Sequence, residues 1–214
     1  MLKIWGRRSS ANVQKAMWLI GELKIPHEHI PAAGPYGLVN EPKFRAMNPN
    51  GLVPVIDDDG LVLWESNAVV RYLAARYGGE DWWPSDPRRH AILDQWMDWA
   101  ATTFQPEIVG AFWAYWRTPE HQRDWDKIRY FEGRCERVLR LLDTELSRRA
   151  YVAGDRFSVA DIPSGVHLYR FYTLGRTVPH LENIEAWYRR LEARPAYREH
   201  VMVSYDELRG KLTF

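Results

Sequence analysis

The chain has 214 residues, of which 46% are hydrophobic, and its formal net charge is +1. This length and composition predict a water-soluble globular protein, and the balanced charge argues against nucleic acid, whose phosphates require a basic face. The single cysteine, Cys135, excludes an internal disulfide or a thiolate metal cluster, and no apolar run approaches membrane-spanning length.

The first apolar run, Leu2 to Trp5, predicts a short strand. This start is too short and too quickly charged for a secretory signal peptide, and a lone cysteine fits a reducing compartment, so we expect a cytoplasmic protein. Ser10 and Asn12 then stand where a helix is predicted to begin. The apolar face of that helix is formed by Val13, Ala16, Met17, Ile20 and Leu23.

Pro26 marks the end of this helix, and His27 to Ile30 predicts a weak second strand. A short helix is expected around Pro42 to Met47. Two apolar runs follow, Val53 to Asp57 and Leu61 to Trp64, and the Asp- and Gly-rich turn between them predicts a hairpin.

Ser66 is predicted to open another helix, which Gly78 and Gly79 stop. The elements up to this point follow the order β-α-β-α-β-β-α. One crossover unit, a hairpin and a closing helix together predict an α/β thioredoxin-like N-terminal domain over residues 1–78.

Residues 79–87 read as a linker, and residues 88–214 predict an all-α C-terminal domain. Its helices are predicted over 88–116, over 119–148, from 158 onward and over 182–193. Pro106 should kink the first of them, and Pro163 should bend the second turn of the third. Ser158 and Asp161 have the spacing of a helix capping box.

Three motifs stand out: Asn-Pro-Asn-Gly-Leu-Val-Pro over 48–54, Glu65-Ser66 with Ala68 and Tyr72-Leu73, and Ser-Val-Ala-Asp over 158–161. In this order and spacing they resemble the soluble glutathione S-transferase superfamily over essentially the whole chain. The loop Ser10–Lys15 looks like the serine-type bacterial branches, theta-like or nu-like. The resemblance implies the glutathione transferase fold, a homodimer, and glutathione as cosubstrate with no metal.

The chemistry then depends on the thiol of glutathione. Its ordinary pKa lies near ~8.5, and only the thiolate is a good nucleophile. Lowering that pKa by about two units requires roughly 2.7 kcal/mol of preference for the anion. A hydroxyl that donates to the charged sulfur supplies about 1.5–3 kcal/mol, so one hydroxyl at a helix start is sufficient.

The resemblance implies that Ser10 provides this hydroxyl. Asn12 is the second candidate for the catalytic contact, and Ser9 is the third. The competing interpretation is that Ser10 and Asn12 only cap the helix. Thioredoxin-like redox proteins carry a Cys-x-x-Cys pair at this place, whereas this chain has Ser10-Ala11-Asn12-Val13. Any redox activity must therefore use the sulfur of glutathione.

The resemblance also implies how the rest of glutathione is held. A cis Val53–Pro54 bond would turn the Val53 amide and carbonyl outward, where they can pair with the peptide as an added strand. The γ-glutamyl carboxylate would bind Ser66 and the first amides of its helix, while the ammonium group would bind Glu65.

Leu52 completes the predicted glutathione-binding set, but it is also a departure from the family pattern. Several relatives have a lysine or arginine at this position, where it can bind the glycine carboxylate. Either Lys43, Arg45 or Asn40 takes that role here, or the affinity for glutathione is weaker.

A second substrate is expected between the two domains. Trp113, Trp116 and Tyr169 are predicted to line an apolar electrophile pocket, with Phe112, Phe171 and Tyr172 as neighbours. Burial of each ring in the core or in a dimer interface is an equal alternative. Arg117, Arg170 and the histidines show no metal-ligand spacing, and solvent-exposed faces or roles as ion-pair partners are expected for them.

The implied function is a detoxifying glutathione transferase that conjugates glutathione to small apolar electrophiles. One alternative is a nu-like, glutathione-dependent disulfide reductase, and another is a non-catalytic ligand-binding member of the fold. Neither nucleic acid nor a membrane is an expected partner.

Overall fold

The computed structural model describes residues 1–177 and 179–213. Its N-terminal sheet is built from Leu2–Trp5 (β1), His27–Ile30 (β2), Val55–Asp58 (β3) and Leu61–Trp64 (β4). The strand order is β2-β1-β3-β4, with β1 and β2 parallel and the other two pairs antiparallel. The predicted thioredoxin-like domain is confirmed.

The helices of this domain are Ala11–Leu23 (α1), Pro42–Met47 (α2) and Ser66–Leu73 (α3). The C-terminal part contains Pro87–Trp99 (α4), Gln105–Phe112 (α5), Trp125–Leu146 (α6), Asp161–Thr173 (α7), Glu182–Glu192 (α8) and Pro195–His200 (α9). The predicted helical domain is therefore confirmed as well. Within the described residues, no helix combines the length and the apolar composition needed to cross a membrane.

π-helical turns interrupt the long helical stretch between α4 and the loop before α6. Ala100–Phe104 joins α4 to α5, and Trp113–Arg117 continues α5. Pro106 lies in the first turn of α5, directly after the first π-helical turn. The disturbance expected at Pro106 thus takes the form of a π-helical turn, a common site of helix irregularity.

The helices of the C-terminal part differ in detail from the prediction. α6 begins at Trp125 rather than at 119, because the Asp124 side chain caps it and accepts hydrogen bonds from the Asp126 and Lys127 amides, both at 3.0 Å. Beyond the helix predicted over 182–193, Pro195 occupies the first turn of a further helix, α9, where its missing N–H costs nothing.

Asp161 fixes the start of α7. Its buried carboxylate accepts hydrogen bonds from the Val152 amide, the Ser158 amide and the Trp187 indole, each at 2.9 Å. Pro163 falls in the first turn of α7 rather than in the second, so it takes no interior hydrogen bond from the helix. The predicted capping motif thus also joins α7 to α8.

α1 is buried on almost every side, because it packs against α3 within its own domain and against α7 and α9 of the helical domain. The predicted apolar face is therefore only part of its buried surface. Gln14 and Lys15 are each only 1% exposed, although both side chains are polar.

Candidate active site

The β1–α1 loop carries the candidates for the thiol contact. Ser10 is the N-cap residue of α1, but its half-buried hydroxyl makes no capping bond, and no described group is hydrogen-bonded to it. Ser9 is buried and donates its hydroxyl hydrogen to Glu207. Asn12 Oδ1 accepts a hydrogen bond from the Ser66 hydroxyl at 3.3 Å. The Ser10 side chain therefore does not cap α1.

The Val53–Pro54 bond is cis, as the resemblance implied. Buried Asn48 shapes the preceding loop, since its Nδ2 donates to the Leu52 carbonyl at 2.8 Å and its Oδ1 accepts from the Asn50 amide at 3.0 Å. The Leu52 side chain is 64% exposed. In the part of the chain that the structure describes, no hydrogen bond involves the Val53 amide or carbonyl, so both remain available to an added strand.

Glu65 and Ser66 connect β4 to α3. Exposed Glu65 has a φ of 70°, a region that disfavours residues other than glycine and that is typical of functional sites. Ser66 is the first residue of α3, and it is 7% exposed. Because the first amides of a helix have no intrahelical partners, this junction offers an anion site.

Lys15 lies beneath this junction, and the sequence did not single it out. Its ammonium group donates to Gln105 Oε1 at 2.7 Å, Asn12 Oδ1 at 3.1 Å and Ser66 Oγ at 3.4 Å. Burial lowers the pKa of Lys15 to about 7, although the nearby Glu65 carboxylate acts in the opposite direction. Lys15 thus connects the starts of α1, α3 and α5.

Arg45 and Asn40 lie together beside the loop that precedes Val53. Arg45 donates to the Pro49 carbonyl and to Asn40 Oδ1, both at 2.9 Å. The guanidinium also covers Gly51, whose φ is +61°, and a Cβ there would lie 2.4 Å from the guanidinium carbon. These contacts hold the guanidinium group of Arg45, one of the three residues considered for the glycine carboxylate, next to the loop.

Comparison with known proteins identifies the family. A model of the glutathione S-transferase N-terminal domain matches residues 5–81, and a model of the glutathione S-transferase C-terminal domain matches residues 104–195. The chain belongs to the soluble glutathione S-transferase superfamily.

Its relatives share nearly the full length of this transferase. Glutathione S-transferase GstB of Escherichia coli K12 is 41% identical over 205 residues, which cover 95% of this chain and 99% of that protein. The theta class glutathione S-transferase of Xanthomonas axonopodis pv. citri, solved with glutathione bound, is 41% identical and superposes with a TM-score of 0.91. The match covers 95% of this chain and 98% of that chain. A glutathione S-transferase of Pseudomonas fluorescens is 30% identical with a TM-score of 0.80, and the match covers 91% of this chain and 96% of that chain.

The transferase brings together two of the three residues predicted for the electrophile pocket. The ring centroids of buried Trp116 and half-buried Tyr169 lie 5.1 Å and 6.3 Å from that of Tyr205. Trp113 is 40% exposed and lines a separate groove of about 450 Å³, which Phe131 also lines. Tyr205, which lies in the irregular C-terminal segment, carried no periodic signal in the sequence.

Arginines form part of the same region of the transferase, although solvent-exposed faces or roles as ion-pair partners were expected for Arg117 and Arg170. Both are buried, and Arg170 donates to the Ser9 carbonyl while its guanidinium lies 5.0 Å from the Phe112 ring centroid. The pKa of Arg117 and that of Arg170 are lowered to about 10, mainly by burial and in part by the nearby charge of Arg7. The region beside Ser9 therefore contains basic as well as aromatic groups.

The lone cysteine of the transferase lies outside this site. Cys135 is buried in α6, and its thiol donates to the Glu107 carbonyl at 3.3 Å. Burial raises its pKa to about 12, so it is protonated near neutral pH and is a poor nucleophile. Among the described residues, no group of three or more His, Cys, Asp or Glu side chains could hold a metal ion.

Proposed function

We propose that the protein binds glutathione across the starts of α1 and α3 and transfers it to a small apolar electrophile. The Ser10 hydroxyl donates a hydrogen bond to the glutathione sulfur and favours the thiolate. The thiolate attacks an electrophilic carbon, a carbon–sulfur bond forms, and the leaving group departs with the electron pair of the broken bond. The thiol proton is released to solvent.

The observation that carries this proposal is the convergence of the separate motifs. The hydrogen bond from Ser66 to Asn12 brings the start of α3 next to the start of α1. Val53 is also close to the β1–α1 loop, because its Cβ lies 3.3 Å from the position that a Cβ on Gly6 would take. One tripeptide can therefore reach Ser10, the Val53 backbone and Ser66 together.

Within this proposal each part of glutathione has its own partner. The Val53 amide and carbonyl pair with the peptide backbone beside cis-Pro54. Ser66 and the first amides of α3 receive the γ-glutamyl carboxylate, and exposed Glu65 receives the ammonium group. Arg45, next to the loop that contains Leu52, takes the glycine carboxylate.

The electrophile is proposed to bind beside the aromatic cluster of Trp116, Tyr169 and Tyr205. Trp113 contributes to this pocket only if the ring turns away from its groove. The proposed domain organisation is a glutathione-binding domain over 1–78, a linker over 79–87 and a helical domain over 88–214, which supplies the electrophile pocket.

A comparison of two substrates tests the proposed reaction. Turnover of 1-chloro-2,4-dinitrobenzene, which requires carbon–sulfur bond formation, should exceed turnover of a mixed disulfide of glutathione. A faster reaction with the disulfide would assign the protein as a disulfide reductase. Binding of glutathione without turnover of either substrate would leave a ligand-binding protein.

Replacement of Ser66 by alanine is expected to weaken glutathione binding by roughly 10- to 150-fold, because a hydrogen bond to a charged group supplies about 1.5–3 kcal/mol. Titration calorimetry measures this effect, and Ser85→Ala in the linker is a control far from the site. Retention of the variant on immobilised glutathione with wild-type affinity would contradict the γ-glutamyl role of Ser66.

We further propose a cytoplasmic homodimer that acts in detoxification. Apolar side chains on β4 and α4 support the dimer: Leu61, Val62, Trp64 and Ile92 are all at least 36% exposed. Exposed apolar groups of this kind are typical of association surfaces. A solution mass equal to the 25.2 kDa of one chain, rather than about twice that value, would contradict the dimer.

A further inference from the structure

Lys15 is a buried cation whose hydrogen-bond partners are uncharged. The three hydrogens of its ammonium group match the three oxygens of Asn12, Gln105 and Ser66. Within residues 1–177 and 179–213, no carboxylate forms an ion pair with it. Removing such a charge from water is costly unless an anion compensates for it, so this position is prepared for a negative group.

The charged and titratable groups that face Lys15 come from two neighbouring elements. Glu65, before α3, favours the charged form of Lys15, but this residue is exposed to solvent. Arg170 on α7 disfavours it. His167, also on α7, is buried, and burial together with the charge of Lys15 holds its pKa well below the ordinary value, so it is neutral near pH 7. Gln105 on α5, which accepts a hydrogen bond from Lys15, is neutral.

We propose that Lys15 is a positioning residue whose charge compensates the γ-glutamyl carboxylate of glutathione through Ser66, so that binding above neutral pH takes up a proton. This inference rests on the proposed binding of that carboxylate at Ser66. Ser66 Oγ lies 3.4 Å from the ammonium nitrogen, so a carboxylate on its other side approaches Lys15 in a site shielded from water. An opposite charge at short range favours the protonated amine.

The sign of the pH dependence follows from this coupling. In the free protein burial lowers the pKa of Lys15 to about 7, and the bound carboxylate raises it. Below about pH 6.5 the amine is protonated in both states, so affinity is constant. Above about pH 7 the free protein has lost the proton that the complex holds, so affinity falls by up to about tenfold per pH unit.

S-methylglutathione is the probe that isolates this effect, because it retains the peptide and both carboxylates but has no ionisable thiol. Titration calorimetry in two buffers of different ionisation enthalpy counts the protons taken up on binding. We expect almost none at about pH 6 and close to one at about pH 8. This measurement needs no variant, so it stands even if a substitution at Lys15 prevents folding.

Two variants assign the proton to Lys15. Lys15→Arg keeps a cation at every accessible pH, so it should bind tightly with no proton uptake. Lys15→Met removes the charge while preserving length, so it should bind weakly and without pH dependence between about pH 6 and pH 8. The matched control is Lys24→Met, which removes an exposed lysine at the end of the same helix, and it should behave as the wild type does. His167→Gln should also retain the proton uptake.

Two results would overturn this role of Lys15 while leaving the proposed function intact. One is binding of S-methylglutathione by the wild type without proton uptake at about pH 8, and the other is uptake that persists in Lys15→Met. Failure of the wild type to bind S-methylglutathione at any pH would instead overturn the proposed glutathione site.

Discussion

Replacement of Ser10 by alanine is expected to lower the turnover number by roughly 10- to 150-fold, which corresponds to the loss of about 1.5–3 kcal/mol from a hydrogen bond to a charged sulfur. Affinity for glutathione should remain close to that of the wild type, because the Val53 backbone and Ser66 hold the rest of the molecule. The pKa of the bound thiol should rise by about one to two units, which a pH profile of turnover measures directly.

Two neighbouring variants serve as controls for Ser10. Ser9→Ala removes a hydroxyl that is already bonded to Glu207, so turnover should change little. Asn12→Ala breaks the link to Ser66 and should weaken glutathione binding more than it lowers turnover. Wild-type turnover in Ser10→Ala, combined with a large loss of turnover in Asn12→Ala, would transfer the sulfur contact to Asn12.

The largest effect on stability is expected from Asp161→Ala. The substitution leaves the Val152 amide, the Ser158 amide and the Trp187 indole without their acceptor in the core. Loss of a buried network of this kind destabilises a protein by about 3–5 kcal/mol. At about 2–4 °C per kcal/mol for a chain of this size, Tm should fall by roughly 6–20 °C.

Thermal unfolding followed by circular dichroism measures this change. Asp155→Ala is the matched control, because it removes an exposed carboxylate from the loop that precedes α7 and should leave Tm nearly unchanged. Asp161→Asn keeps one acceptor oxygen and should lie between the two. A Tm for Asp161→Ala equal to that of Asp155→Ala would show that the capping carboxylate does not hold α7 to α8.

The parts of the fold that follow local rules were predictable from the sequence. Pro54 within a turn and strand pattern, Ser66 at a helix start and the Ser158–Asp161 spacing each constrain the backbone over a few residues. Their order then predicts the thioredoxin-like domain and the helical domain, and both predictions are confirmed. The predicted start of α6 was wrong, because the apolar periodicity does not register Asp124, whose side chain caps the helix.

Buried polar groups were not predictable, because their burial depends on packing between distant segments. Lys15 stands beside a nearly continuous apolar run over 16–20, and the only sequence signal for its burial is that α1 is apolar on several faces. Arg170 is buried for a similar reason, since α7 packs against α1 and α5. Whether a charged residue on such a helix is buried depends on the segments that pack around it, which the residue type alone does not reveal.

The separation of Trp113 from Trp116 also has a local cause that spacing alone does not reveal. One turn apart on an α-helix, two residues share a face. Trp113–Arg117 is a π-helical turn, whose hydrogen bonds run from i to i+5, so residues three apart diverge further. The π-helical turn therefore directs Trp113 to its own groove while Trp116 packs on Tyr205.

A crystal structure with glutathione bound tests the central claim most directly. The sulfur is predicted to lie within hydrogen-bond distance of Ser10 Oγ, with the γ-glutamyl carboxylate at Ser66 and the peptide paired with Val53. A sulfur in contact with Asn12 and not Ser10, or a γ-glutamyl carboxylate bound away from the start of α3, would contradict it.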